Sequence, residues 1–273
     1  MKKEKYVMST NLAGWGWKIT KEPWEERLAR ACECIKKAAP EAFLIGLQEV
    51  IPGVNEKYID LIKSDLPNYV VVLPYAYNNN YRSAINVLLI NRDGYHNHCV
   101  RTLPHMYDSL LYNYVSIATD YGYYEVLNAH TPHISNENRP LWYQKKREAE
   151  RAVFEQSIFE TCKLYKYKTD IQFIFMADAN ATPESSFIQQ LSGTVEPLLF
   201  NATKASDLKI ATWNNPEYKS SHIDYIFYSM GSMKSSAIDV YNNDIIDTPI
   251  AEKISDHAII RGRIRTNITD WCG

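Results

Sequence analysis

Polar side chains close apolar runs at six places along the 273 residues of this chain. Asn11 ends MSTN, Glu49 follows FLIGLQ, and His130 follows YEVLNA. Asp178 and Asn180 end FIFMADAN, Asp224 sits in HIDYIF, and Asp256 and His257 close ISDH. A short continuous apolar run reads as a buried strand. In a layered α/β protein, ligands gather at one end of such strands. Side chains from all six places would then meet in one small site. Carboxylates, amides and imidazoles without cysteine suit a hard, oxygen-bound cation such as Mg²⁺ and a phosphate ester beside it.

Each group also has a plainer reading. A carboxylate at the end of an apolar strand, as at Glu49, is costly unless it is paired or holds a cation. A capping or salt-bridged acid would satisfy that equally. Asp178 and Asn180, two apart, share a face if the strand runs on through them. An Asx turn ending the strand is compatible with the same role. A histidine held by a carboxylate has its tautomer fixed and its basicity raised. His257, beside Asp256 and with Asp224 in the preceding strand, could therefore be a general base for water or an imidazolium clamp on a phosphate. His130 is a second imidazole. His133 reads as no more than a loop residue, and His222 has no assigned role.

These residues need strands to carry them, and the periodicity supplies them. Strands are expected at 6–11, 43–47, 69–74, 84–91, 171–176, 223–229 and 258–264, and a hairpin at 114–119 and 123–129 turning about Asp120-Tyr121-Gly122. Helices are expected at 23–39, with Pro in the first turn, and at 55–65, 140–163 and 183–191. The loop at 12–20 carries Trp15 and Trp17. With no repeat and no linker-like tract, one domain over 1–273 is expected. The alternation of strands and helices by itself supports α/β.

Composition narrows the classes. At 45% hydrophobic and 23% charged residues the chain can bury a sizeable core. No apolar stretch approaches bilayer-spanning length, so no membrane partner is expected. The start, MKKEKYVMSTNLAG, is basic but lacks an apolar core of signal-peptide length. The five cysteines are odd in number and lack metal-type spacing, which suggests reduced thiols in a cytoplasm. A net charge of −2 argues against a globally basic nucleic-acid binder, although a nuclease needs only a local basic rim.

At these residues the sequence resembles the endonuclease/exonuclease/phosphatase superfamily, whose members include deoxyribonuclease I and exonuclease III. The matched pieces, in the family's order, are Asn11, Gln48-Glu49, Asn128-x-His130, Asp178-x-Asn180, Ile223 to Ile226, and Ser255-Asp256-His257. The resemblance implies a four-layer α/β sandwich, with two packed, mainly antiparallel sheets flanked by helices and the site at one edge. It implies Glu49 as the principal ligand of Mg²⁺, for which Mn²⁺ can substitute, with Asn11 and Asp256 as helpers. It gives Asp178 and Asn180 the attacking water, and places His130 beside the scissile phosphate. Deoxyribonuclease I-like members carry a Tyr-x-Glu behind the terminal histidine, but here Tyr81-Arg82-Ser83 offers no acid. Asp224 is therefore the preferred partner of His257, and its support of His130 is the alternative.

Three classes compete for function. A monomeric nuclease would use Trp15, Trp17 and Tyr81 to stack on bases, and Arg82, Lys145 and Arg147 to meet phosphates, with Lys146 and Arg151 in the same cluster. Glutamates alternate with these bases, so a solvated helix face is the plainer account. A phosphatase or phosphodiesterase for inositol phosphates, phospholipid headgroups or nucleotides fits the net charge slightly better. A non-catalytic interaction module would show a broken constellation, and here every position is filled.

Overall fold

The computed structural model describes residues 3–14, 23–38, 42–78, 83–106, 109–134, 139–168, 170–193, 197–202, 211–213, 221–229 and 255–266. Two sheets form from these segments. The first contains β1 (Lys3–Asn11), β2 (Ala42–Val50), β3 (Tyr69–Val72), β4 (Ile85–Asn91) and β11 (Ile260–Thr266), in the order β11-β1-β2-β4-β3. The second contains β5 (Tyr95–Arg101), β6 (Tyr112–Thr119), β7 (Gly122–His130), β8 (Ile171–Asp178), β9 (Leu199–Asn201) and β10 (Asp224–Ser229), in the order β5-β6-β7-β8-β10-β9. Every neighbouring pair is antiparallel except β1 with β2 and β7 with β8.

The two parallel pairs each need a crossover, and helices supply them. Helix α1 (Trp24–Ala38) joins β1 to β2, and α3 (Leu141–Tyr165) joins β7 to β8. Leu28, Ala31, Cys32 and Ile35 recur at helical spacing and are buried, giving α1 the apolar stripe it lays on the first sheet. Acids in its first turn (Glu25, Glu26) and lysines in its last (Lys36, Lys37) suit the helix dipole. Helix α2 (Lys57–Asp65) covers the same face through Ile59 and Ile62. Phe154, Ile158, Cys162 and Tyr165 of α3, with Phe187, Ile188 and Leu191 of α4 (Ser186–Ser192), cover the outer face of the second sheet. Between the sheets a third core packs Phe43, Leu88 and Ile90 against Val115, Val126, Ile174 and Met176. The layers run helix, sheet, sheet, helix, which is the expected sandwich.

Two strands carry no signal in the sequence. The edge strand β5, YHNHCVR, is largely solvent-facing, so it shows no apolar alternation. The other, β9, is three residues long. The expected strand at 171–176 runs on to Asp178 but stops short of Asn180.

Site residues lie at the carboxyl ends of the two parallel pairs. Asn11 is in register with Gln48 across β1 and β2, and Asp178 has His130 on one side and Asp224 on the other. The sheets are drawn close beneath them. Gly46 on β2 faces Asn128 on β7, and a Cβ there would lie 2.7 Å from Asn128 Oδ1. Gln48 Nε2 donates to Asn128 Oδ1 at 2.6 Å and to Ser9 Oγ at 3.0 Å. Asn128 Nδ2 donates back across to the carbonyls of Leu47 and Val87. This buried network ties the strand of Glu49 to the strand of His130.

Candidate active site

Gln48 and Glu49 are consecutive, and a regular strand would send their side chains to opposite faces. The register between β2 and β4 shifts between Leu47 and Val50, with Glu49 at a positive φ of 53°. This is a bulge, a device that re-aims a side chain at a strand end. Gln48 can then point between the sheets while Glu49 turns toward the neighbouring strand ends. The turn also needs Gly14, because a Cβ there would meet the Glu49 carbonyl at 2.1 Å.

Asn11 joins the two sheets at this end. Its Nδ2 donates to Asp178 Oδ2 at 2.8 Å and reaches Glu49 Oε1 at 3.3 Å. Its Oδ1 accepts from the Ala13 N–H at 2.7 Å, which fixes the orientation of the amide. Asn11 thus shows the acids its nitrogen, not its oxygen. In this geometry the Asn11 amide positions the two carboxylates, a helper's place beside Glu49. Ser255 Oγ donates to the Asn11 carbonyl at 2.6 Å, so the terminal Ser-Asp-His segment is tied to β1.

Asp178 is the hub. His130 Nε2 lies 3.6 Å and His257 Nε2 3.7 Å from its Oδ2, while Oδ1 accepts from the Asn180 N–H at 3.0 Å. The last bond is an Asx turn: Asn180 sits at φ 45° and spends its Nδ2 on the Thr131 carbonyl at 2.8 Å. Of the two arrangements open to Asp178 and Asn180, a continued strand face or an Asx turn, the structure forms the turn. Burial alone would raise the Asp178 pKa. His257 and His130, with the Asn11 and Asn180 hydrogen bonds, more than offset it and hold this acid below the usual range.

Asp224 pairs with His257. Both of its oxygens meet His257 Nδ1, at 3.0 and 3.1 Å, and both side chains are buried. Burial would depress the imidazole, but Asp224 first and Asp178 next raise its pKa from 6.5 to about 10. Burial outweighs His257 at Asp224 and leaves that carboxyl above its usual range, so acid and imidazole hold a proton between them. Asp256 Oδ1 lies 3.9 Å from His257 Nε2, and Asp256 Oδ2 accepts from the Trp213 indole at 2.8 Å.

Glu49 and His130 are the more open members, with side chains 17% and 23% exposed and Glu49 Oε1 lying 3.6 Å from His130 Nε2. Among the described residues, the ion pairs of Glu49, Asp178, Asp224 and Asp256 are all with these two histidines. Even with both imidazoles protonated, four carboxylates leave an excess of negative charge. A hard divalent cation is the group such a donor set fits. Asp178, Asp224 and His257 offer ligand atoms within 4.8 Å of one another, but the Asp224 oxygens are committed to His257 Nδ1. Both Asp178 oxygens are likewise engaged, by Asn11 Nδ2 and the Asn180 N–H, so a cation would sit with least disruption on the open side, at Glu49.

Two contributors are invisible in the sequence. Thr212 Oγ1 accepts from the Ile223 and Asp224 N–H groups, both at 3.0 Å, and so fixes the start of β10. Trp213, next to it, pairs with His257 along the backbone as well as holding Asp256. Neither stands in an apolar run that could have flagged it.

The expected substrate contacts fare unevenly. Trp15, Trp17, Tyr81 and Arg82 lie outside the described residues. Lys145 is exposed on α3, and Arg147 Nη1 pairs with Glu150 Oε2 at 2.8 Å. Arg151 departs from the expected surface cluster. It is buried, binds the carbonyls of Pro132, Ala179 and Asn180, and pairs with Glu155 at 2.6 Å. It anchors α3 to the loops that follow His130 and Asp178.

No protein-family model and no curated protein matches the chain. Solved structures do, over nearly its whole length. An endonuclease/exonuclease/phosphatase protein of Bacteroides vulgatus superposes with a TM-score of 0.68 at 16% identity, covering 97% of this chain and 100% of that one. D. rerio TDP2, solved with a single-strand DNA product, gives 0.60 at 15% identity over 96% and 98%. A mannosyl-6-phosphatase of Bacteroides thetaiotaomicron gives 0.64 at 15% identity over 95% and 99%. The chain has the fold of the endonuclease/exonuclease/phosphatase proteins, as the six motifs implied.

Proposed function

We propose that this chain is a divalent-metal-dependent phosphoesterase that hydrolyses phosphodiester bonds of DNA or RNA with an activated water. One observation carries the reading: two histidines and Asn11 converge on the buried Asp178 at the common end of both sheets, with Glu49 against Asn11 and His130.

Hydrolysis needs an aligned water, neutralised phosphoryl oxygens and a stabilised leaving oxygen. Glu49 would hold Mg²⁺ or Mn²⁺, which when bound supplies charge neutralisation at the phosphoryl oxygens. Asp178, kept anionic and oriented by Asn11 and the Asn180 N–H, aligns the water and accepts its proton. His257, protonated and held by Asp224, presents Nε2 toward Asp178 as a clamp on a phosphoryl oxygen. His130, on the open side, donates to the phosphate or the leaving oxygen.

A second reading, a small-substrate phosphatase, draws support from the net charge of −2 and from the mannosyl-6-phosphatase, which is as similar as the DNA-bound TDP2. The test is purified protein with Mg²⁺, assayed side by side on supercoiled plasmid, single-stranded DNA, RNA, an abasic duplex and small phosphate monoesters and diesters. Polymer cleavage with slow turnover of sugar phosphates supports the nuclease, and the reverse pattern supports the phosphatase. The proposal also includes a monomer in a reducing cytoplasm, in keeping with the free thiols of Cys32, Cys34, Cys99 and Cys162.

A further inference from the structure

Beside the site, between α3 and the loop leading into β6, lies a groove of about 870 Å³. Its apolar lining includes Met106, Leu110, Leu111 and Val153, and Lys146 and Arg147 stand among the lining residues. It adjoins the catalytic strand end, since the Leu111 carbonyl accepts from the His130 N–H at 2.8 Å. Its walls are fastened. Tyr112 Oη accepts from the Leu103 N–H and donates to the Met106 carbonyl, and Ser157 Oγ of α3 donates to the Pro104 carbonyl at 2.6 Å. His105, between them, is held at a positive φ of 61°. Arg151, behind the groove, locks α3 to the Asn180 loop.

This groove is a preformed concavity of the size that takes a ligand fragment. It leaves Val153, an apolar residue, 45% exposed. The only ion pairs that Arg147 and Lys146 make among the described residues are with Glu150, a half-exposed acid that lines the groove beside them. Pairs of that kind contribute little and yield readily to a phosphate. A fragment that is flat and apolar in one part and anionic in the next matches the lining.

We infer that this groove is a subsite for the nucleoside flanking the scissile phosphate, with the next phosphate of the strand on Arg147 and Lys146. The inference rests on the nuclease reading and deepens it. The apolar floor would take the base, and the neighbouring cations would hold the strand so that the scissile phosphate lies at His130.

The test fills the groove from an exposed helix position. Val153→Trp is compared with wild type on the nucleic acid that wild type cleaves and on bis-(p-nitrophenyl) phosphate, both with Mg²⁺. The ratio of kcat/KM on the polymer to that on the small ester should fall about tenfold or more, the worth of one bound base. Ala149→Trp, on the same exposed stretch, repeats the test with an independent side chain. Lys146→Ala with Arg147→Ala should flatten the salt dependence of kcat/KM by about 0.7 in log–log slope for each single-strand phosphate that the variant no longer neutralises. An unchanged ratio in both tryptophan variants, with polymer cleavage intact, overturns the subsite and leaves the nuclease reading standing. Wild type that turns over the small ester but no polymer overturns both.

Discussion

Asp224→Asn removes one charge from the most enclosed pair in the site and almost no volume. In the folded protein both Asp224 oxygens lie 3.0–3.1 Å from His257 Nδ1, so the charge opposing imidazole burial comes first from this residue. The amide leaves Asp178 and Asp256 to hold the proton, and the His257 pKa falls as burial regains weight. Loss of one partner of a buried pair costs about 3–5 kcal/mol, within a typical total stability of roughly 5–15 kcal/mol. The variant should fold with a lowered Tm. The rate should fall by about two to four orders of magnitude, the usual worth of one acid–base group. What remains should shift toward lower pH, where the weakened imidazole is still protonated. The assay is kcat/KM with Mg²⁺ for wild type, Asp224→Asn, His257→Ala and the double variant. Because the two residues act as one unit, the double variant should be little worse than the poorer single one. Additive losses, or near wild-type activity in Asp224→Asn, would refute the coupling.

In excess chelator, the raised His257 pKa contributes stability that is fully present below its unfolded value of 6.5 and lost as pH rises through about 10. The urea midpoint of wild type should therefore decline across that window, and that decline should shrink in His257→Gln. Gly46→Ala places a methyl 2.7 Å from Asn128 Oδ1 between the sheets and should cost about 1–3 kcal/mol in chemical unfolding, whereas an unaltered midpoint would show that the sheets can part there freely. Trp15→Ala with Trp17→Ala should weaken nucleic-acid binding by about 1–3 kcal/mol per stacked base in an anisotropy titration, and unchanged binding would remove that loop from the substrate path.

The chain announces its strands wherever both faces are buried, as in FLIGL of β2 and FIFMA of β8. It conceals β5, an edge strand of polar residues with no core face to impose a pattern. The polar residues of the site are legible because an acid or imidazole after an apolar run conflicts with burial unless it has a task. Their orientation is not. Gln48 and Glu49 both serve the site end only because a bulge adds a residue to β2, and no residue type marks that bulge. The family resemblance prefers Asp224 on His257 over His130, and the structure forms that pair, whereas the spacing of the residues alone cannot choose between the two imidazoles. Arg151 is hidden for the same kind of reason. Its neighbours Lys145 and Arg147 suggest a solvated basic face, yet one helical turn on from Arg147 the side chain is buried among loop carbonyls. Thr212 and Trp213 carry no signal short of the fold, because their partners are backbone groups and a carboxylate far along the chain.

The central claim is that the acids at this strand end hold a divalent cation that phosphodiester hydrolysis requires. It is tested most directly by measuring hydrolysis against Mg²⁺ concentration, with a chelator control, in wild type and Glu49→Gln. Amide and acid are nearly isosteric, but only the acid neutralises a cation, so the variant should keep the wild-type fold by circular dichroism and lose most activity at every Mg²⁺ concentration. Wild type should fall silent in chelator and recover with Mg²⁺ or Mn²⁺. Full wild-type activity in excess chelator, or a Glu49→Gln variant as active as wild type, would contradict the account.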